Sequence, residues 1–260
     1  MSVIQPIRLY LWPHRVLYLG PSPDNERHRH HAAQICVSLQ GRLRVDVGSH
    51  TFEPLGILVP PDCPHRINAG DAPILALYLE PESDDYASLW APWLKQHDAN
   101  SVRTIDPPAD SLEQLRSLHA SSGDPHQAWS ACASALGMGV TNPSPLLRDP
   151  RIAQVIDIIR RQPSASHGID ALAGAVHLSP SRLSHLFRNE TGIAIRRFIV
   201  WVRIRQVVER ALDGASLTQA AHAAGFADAA HMSNTFRQMF GFAPSTLFSA
   251  RIEKDVQLLD

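Results

Sequence analysis

The stretch LTQAAHAAGFADAAHMSNTFRQMFGFAP, residues 217–244, decides how the rest of the chain is read. Ser216 stands before it as a helix N-cap, and Gly225 lies just past the end of a short alanine-rich helix. Asp228 then caps a second helix, AAHMSNTFRQMF, which Gly241 closes; Pro244 and Ser245 begin a last short turn of helix. The first helix needs small residues because its partner crosses it closely, and Ala220, Ala221, Ala223 and Ala224 supply them. A short helix, a tight turn and a second helix with a polar outer side form a helix-turn-helix pattern. Its second helix can lie in the major groove of DNA.

The pattern occurs twice. ALAGAV, residues 171–176, carries Ala171, Ala173, Gly174 and Ala175. LSPSRLSHLFRNETG follows, with Ser179 as N-cap, Pro180 at the first helical position, Leu183, Leu186 and Phe187 inward, and Gly192 at the end. A long helix, IRRFIVWVRIRQVVERAL over 195–212, joins the two units. RIAQVIDIIRRQP precedes them, starting after Asp149-Pro150, with Ile152, Val155, Ile156 and Ile159 on one face. From Arg151 onward the chain carries a net charge of +4, almost all of the positive charge being arginine. That balance permits a nucleic-acid partner without requiring one.

Residues 168–248 resemble the AraC/XylS family of bacterial transcription regulators. The resemblance rests on Ala221, Ala224-Gly225-Phe226, Asp228, Phe236, Phe240-Gly241 and Pro244 in the second unit. In the first unit it rests on Leu172-Ala173, Leu178-Ser179-Pro180-Ser181, Leu183, Leu186-Phe187 and Gly192, and Arg203 and Arg205 fall where the family's linking helix carries arginines. His231 and Met232 depart from the family's usual aromatics, and His185 stands where many relatives have Arg. The resemblance implies a sequence-specific regulator of promoter DNA, with RNA polymerase and a second copy of the chain as further partners.

On the first reading helix Ser181, Arg182 and His185 project from the outer face; on the second, Ala230, Ser233 and Asn234 do. Arg182 suits guanine edges and Asn234 suits adenine. Arg188 and Arg237, later on the same helices, suit phosphates. Arg196, Arg197, Arg203 and Arg205 are either phosphate contacts or ties within the domain. Phe187, Phe226, Phe236, Phe240 and Trp201 read as core.

The N-terminal part has another texture. Residues 8–80 read as short strands (VLYLG, QICVSLQG, LRVDVG, HTFEP, GILVP, ILALYLE) punctuated by Gly, Pro, Asp and Asn, the pattern of a small antiparallel barrel or sandwich. The family resemblance implies a cupin-like sensor barrel here. The expected organisation is an α+β two-domain chain. It has a cupin-like barrel over 1–83, a helical connecting and dimerisation segment over 84–137, and a linker over 138–149. A tandem helix-turn-helix domain over 150–250 and a tail over 251–260 complete it. Leu112, Leu115 and Leu118 recur at helical spacing and offer a face for pairing two chains.

ERHRHHAAQ, residues 26–34, places His28, His30 and His31 within four positions. Strand alternation predicts that His28, His30, Gln34 and Cys36 share one face, with His31 outside. His28-x-His30, Gln34 and Gly41 resemble the first cupin motif, with Gln34 in place of the usual Glu, and GILVPPDCPHRIN resembles the second, with His65 as its histidine. The resemblance implies that His28, His30 and His65 meet. With Gln34 they would suit Zn, Fe, Ni or Mn. An organic effector held by His28, His30, Cys36, Cys63 and His65, and a structural histidine cluster, are the other two readings. Arg27 and Arg29 raise the local positive potential and would favour an anionic effector.

Three cysteines, Cys36, Cys63 and Cys132, have no framework spacing and read as reduced thiols. The apolar runs are too short for a bilayer and no signal peptide is legible, so a cytoplasmic setting is expected. Two other functions compete with a ligand- or metal-responsive regulator. One is a cupin-type metal-dependent enzyme, which the paired helix-turn-helix units argue against. The other is a constitutive dimeric regulator that uses the barrel only for assembly. No nucleophile triad or glycine-rich phosphate loop is present.

Overall fold

The computed structural model describes residues 7–87, 102–120, 124–136, 149–248 and 254–258. It divides into two compact units, Met1–Ser144 with Phe240–Asp260, and Pro145–Met239. Most of the expected linker 138–149 and of the helix read at ASLWAPWLKQ lies outside the described residues.

The first unit is built on strands rich in aliphatic and aromatic residues, as a half-buried pleated surface requires. They are β1 (Ile7–Trp12), β2 (Arg15–Pro21), β3 (Ala33–Ser38), β4 (Arg44–Val47), β5 (His50–Phe52), β6 (Gly56–Val59), β7 (His65–Asn68), β8 (Pro73–Leu79), β9 (Arg103–Ile105) and β10 (Lys254–Leu258). Seven form one sheet in the order β10-β1-β2-β8-β3-β6-β9, and three form another in the order β5-β4-β7.

The described strands thus form two sheets, as a sandwich would, and no closed barrel is seen among the described residues. β9 pairs with β6, and β10 pairs with β1 in parallel, Leu9 opposite Val256. Both edge strands come from segments read as helical connector and tail. They are too short to show a period in the sequence.

Between the sheets lies a core of Cys36, Leu43, Val45, Ile57, Val59, Ile67, Ile74 and Ala76. β1 and β3 are buried along their whole length. Two helices belong to this unit, α1 (Ala109–Ala120) and α2 (Pro125–Ala135). Leu112 and Leu115 of α1 are buried within the chain. Arg116 Nε donates to the Leu39 carbonyl at 2.8 Å, and Arg8 Nε of β1 donates to the His119 carbonyl at 2.9 Å. Side chains and backbone thus fasten α1 to the sheets. On α2, Trp129 stacks its ring 3.8 Å from the Arg15 guanidinium, which also bonds Asp85 at 2.6 Å.

The second unit is all helix: α3 (Pro150–Arg161), α4 (Ile169–Ala175), α5 (Pro180–Thr191), α6 (Ile195–Leu212), α7 (Leu217–Ala223) and α8 (Ala229–Phe240), whose last residue belongs to the first unit. α9 (Pro244–Phe248) follows in the first unit. The caps are those the sequence predicts. Ser179 accepts from the Arg182 amide, and Asp228 from the His231 amide at 2.7 Å. Ser216 and Gln219 form a full capping box. Such caps are worth about 1 kcal/mol each.

Phe187 and Phe198 meet at 5.6 Å in the core between α5 and α6, and Trp201 is buried as expected. Gly225 has φ of +81°, and a Cβ there would come within 2.8 Å of the Ser164 carbonyl oxygen. Glycine is required at that corner for both reasons. Met232 fills the core, while His231 is exposed and sets its ring edge against Phe226 at 5.5 Å.

Candidate metal centre and nucleic-acid interface

His28 and His30 do not lie on a regular strand. β3 begins only at Ala33, and His28 forms an isolated bridge with His65. Each of these two donates its backbone N–H to the other's carbonyl at 2.9 Å. The Asp62 amide donates to the His30 carbonyl at 2.8 Å, across a turn in which Asp62 takes φ of +61°. Backbone pairing, rather than strand alternation, therefore brings the two motifs together. His31 is a correction. It is buried, not outside, with Nε2 2.8 Å from Glu82 Oε2. The chain leaves extended geometry after His30, so parity fails there.

His28, His30 and His65 are all buried, and one nitrogen of each lies within 4.8 Å of the others. The Nδ1 atoms face backbone carbonyls: His28 that of Glu26 at 2.9 Å, His30 that of Ala32 at 2.7 Å, His65 that of Cys63 at 2.8 Å. A carbonyl only accepts, so each Nδ1 carries the hydrogen, and in the neutral ring Nε2 is a lone pair. Neutrality is enforced. Burial, then the neighbouring His28, hold His30 down at about 3. Burial also lowers His28, and burial with the other two rings lowers His65 well below the usual range.

Gln34, on β3, completes the set. Its Oε1 lies 3.0 Å from His30 Nε2 and 2.9 Å from His65 Nε2. Two lone pairs thus face a third acceptor with no hydrogen among them. Two arrangements relieve this. The amide can turn over, giving its NH2 to both rings and its oxygen to the Tyr78 hydroxyl, which lies 3.4 Å from the amide nitrogen. Alternatively, a cation can sit among the four donors. Bonds of about 2.0–2.1 Å at tetrahedral angles need donor separations of about 3.3 Å, close to those found between Gln34 and the two rings. An N–H held by a backbone carbonyl is also the usual outer shell of a metal-bound histidine. The three histidines could hold a metal ion, and Gln34 Oε1 lies at a ligand-like separation from two of them.

Neither Cys36 nor Cys63 is among the three residues whose ligand atoms converge. Cys36 is in the apolar core, its thiol pushed up to about 12 by burial, and Cys63 packs against that core. Arg29 is offset by Asp62 at 3.7 Å, and Arg27 bonds the Gly48 carbonyl. Sequence reasoning missed Tyr78, which lies opposite Gln34 in register, and the three carbonyls. Only the pairing of β3 with β8 reveals the former.

In the second unit Ser181, Arg182, His185 and Arg188 are exposed on α5. Ala230, Asn234 and Arg237 are exposed on α8, and Ser233 is half-buried. Asn189 lies 3.3 Å from His185 Nδ1 and orients that ring. Arg203 donates to the Pro163 and Ala165 carbonyls at 3.0 and 3.1 Å, and Arg205 pairs with Glu209 at 2.9 Å. Both are engaged as ties within the domain.

Residues 172–250 match the family described as "Helix-turn-helix domain", and residues 16–136 match "AraC-like ligand binding domain". Two domain models thus match in succession, an AraC-like ligand-binding domain and then a helix-turn-helix domain. The Msm operon regulatory protein of Streptococcus mutans is 29% identical over 108 residues, 41% of this chain and 37% of that protein. The chain therefore spans little more than a third of the length of that curated relative. Apo ToxT of Vibrio cholerae has a similar fold, with a TM-score of 0.63 at 10% identity over 91% of this chain and 97% of that one. Unsaturated fatty acid-bound ToxT gives 0.60 at 12% identity over 95% and 97%. No described helix is long and apolar enough to cross a membrane.

Proposed function

We propose that the protein is a sequence-specific, DNA-binding transcription regulator controlled by a divalent transition metal (Zn, Fe, Ni or Mn) at His28, His30, His65 and Gln34 in a cupin-like sensor domain. The observation that carries the metal is the set of buried acceptors facing one another, each ring locked by a carbonyl on its far nitrogen. DNA is read through α5 and α8. Arg182 bonds base edges, Asn234 reads adenine, and Ser181, His185, Ala230 and Ser233 border them. Arg188 and Arg237 bind phosphate. Two reading helices on one chain suit two major-groove segments about one turn apart.

The test begins with elemental analysis of untagged full-length protein, expected to give about one metal per chain. His28→Ala and His65→Ala should each lose it, and His31→Ala should not. A duplex selected from a randomised library then reports the DNA arm. Arg182→Ala should cost about 1–3 kcal/mol and relax preference at one position. A variant with unchanged affinity and preference removes Arg182 from the reading set.

The second reading has its own observation. With the Gln34 amide turned, Tyr78 and both rings are satisfied without an ion. The cluster is then a polar floor for an organic effector, as fatty acid-bound ToxT has a related fold. Metal-free protein whose DNA binding responds to a small acid would select it.

A further inference from the structure

Within the first unit, one corner of chain closes on the histidine cluster, and it is not among the residues that either motif predicts. The Gly241 carbonyl accepts the Glu26 N–H at 2.8 Å, and the Glu26 carbonyl in turn faces His28 Nδ1 at 2.9 Å. A single residue, Glu26, therefore connects residue 241 to the ring of His28. Beside it, the Phe240 ring lies nearly parallel to that of His30, with centroids 6.1 Å apart and an angle of 28°. Phe240 also sets an edge contact with Tyr78 at 6.0 Å, and Tyr78 meets His30 at 5.2 Å. Tyr78 is the neighbour of the Gln34 amide. Two consecutive residues thus reach, directly or through one intermediary, His28, His30 and Gln34.

The approach depends on glycine. Gly241 has φ of +78°, and a Cβ there would come within 2.8 Å of both the Asn25 Cβ and His28 Nδ1. Real Cβ atoms do not tolerate such distances, so any side chain at 241 must lift the corner or displace His28.

We infer that Phe240 and Gly241 are positioning residues of the metal site: seated, they hold His28 and His30 with their Nε2 atoms inward for a divalent cation, and the bound cation in turn holds the corner in its seat. This inference rests on the metal reading above and adds its regulation. The reciprocity is thermodynamic: if the seated corner strengthens cation binding, the cation strengthens the seat by the same factor. Phe240 is also the last residue of α8.

The experiment uses full-length protein and Zn2+ alone as the probe. Zinc affinity is measured by competition with a chromophoric chelator for the wild type, Phe240→Ala, Phe240→Leu, Gly241→Ala and an exposed control, His50→Ala. Loss of an outer-shell group typically costs 10–100-fold in metal affinity, and that loss is expected for Phe240→Ala and Gly241→Ala. Phe240→Leu should recover part of it, and His50→Ala should match the wild type. Amide exchange gives a readout that needs no variant: zinc should slow exchange at Glu26 and at residues 240–242 of the wild type. Wild-type zinc affinity in both folded variants, or zinc binding that leaves Glu26 exchange unchanged, overturns the inference while the metal reading stands. If a variant does not fold, the wild-type exchange result decides. A wild type that binds no zinc overturns both.

Discussion

At the scale of single residues, the histidine cluster makes a prediction about acid. His28, His30 and His65 all have folded-state values below the 6.5 of a free imidazole. Between about pH 6.5 and the folded values, the unfolded chain takes up protons that the folded chain refuses. Stability of the metal-free protein must therefore fall as pH drops through that window, by up to about 1.4 kcal/mol per pH unit for each histidine that stays neutral. Above pH 6.5 the contribution is flat. Urea melts at pH 7 and pH 5 check this, with His65→Asn expected to show the shallower dependence; equal slopes in the two proteins would contradict the burial argument. Arg203 makes an opposite kind of prediction. Its bonds to the Pro163 and Ala165 carbonyls make Arg203→Ala a folding variant, destabilised by roughly 1.5–3 kcal/mol, with little effect on the salt dependence of DNA binding. A lowered salt slope at unchanged melting temperature would return Arg203 to the phosphate contacts.

Elements are where the sequence was most and least legible. The helices of the second unit could be placed because their signals are local: a capping residue, a 3.6-residue apolar period and a terminal glycine sit within a dozen residues of one another. Ile152, Val155, Ile156 and Ile159 are all buried, as their spacing predicts. The histidines could be listed but not arranged, since their meeting depends on a bridge between residues 37 positions apart and on the turn at Asp62. Strand parity misplaced His31 for the same reason. β9 and β10 were illegible because a strand of three or five residues has too few turns of its period, and its partner is far away in sequence. Helix α1 shows a third case. Leu112 and Leu115 have the period of an interface, yet both are buried within the chain. Leu115→Asp should therefore unfold the first unit rather than merely dissociate a dimer. Sedimentation beside circular dichroism separates the two: a folded monomer from a wild-type dimer would restore the pairing role. On the reading helices, Arg188→Ala and Arg237→Ala should each lower the slope of log affinity against log salt by about 0.9 while leaving base preference intact.

For the whole molecule, the proposed function has two parts: DNA bound through α5 and α8, and that binding answering to a cation at His28, His30, His65 and Gln34. A ligand can shift such an equilibrium only by the difference in its affinity for the two states, commonly 5–150-fold. The most direct measurement is therefore the affinity of the full-length protein for its selected duplex, at fixed ionic strength, in zinc-buffered solution and again with zinc removed by chelator. A change of at least about fivefold between the two conditions is predicted, present in the wild type and absent in His65→Ala. DNA affinity that is the same with and without zinc, in protein shown to bind the ion, would contradict it.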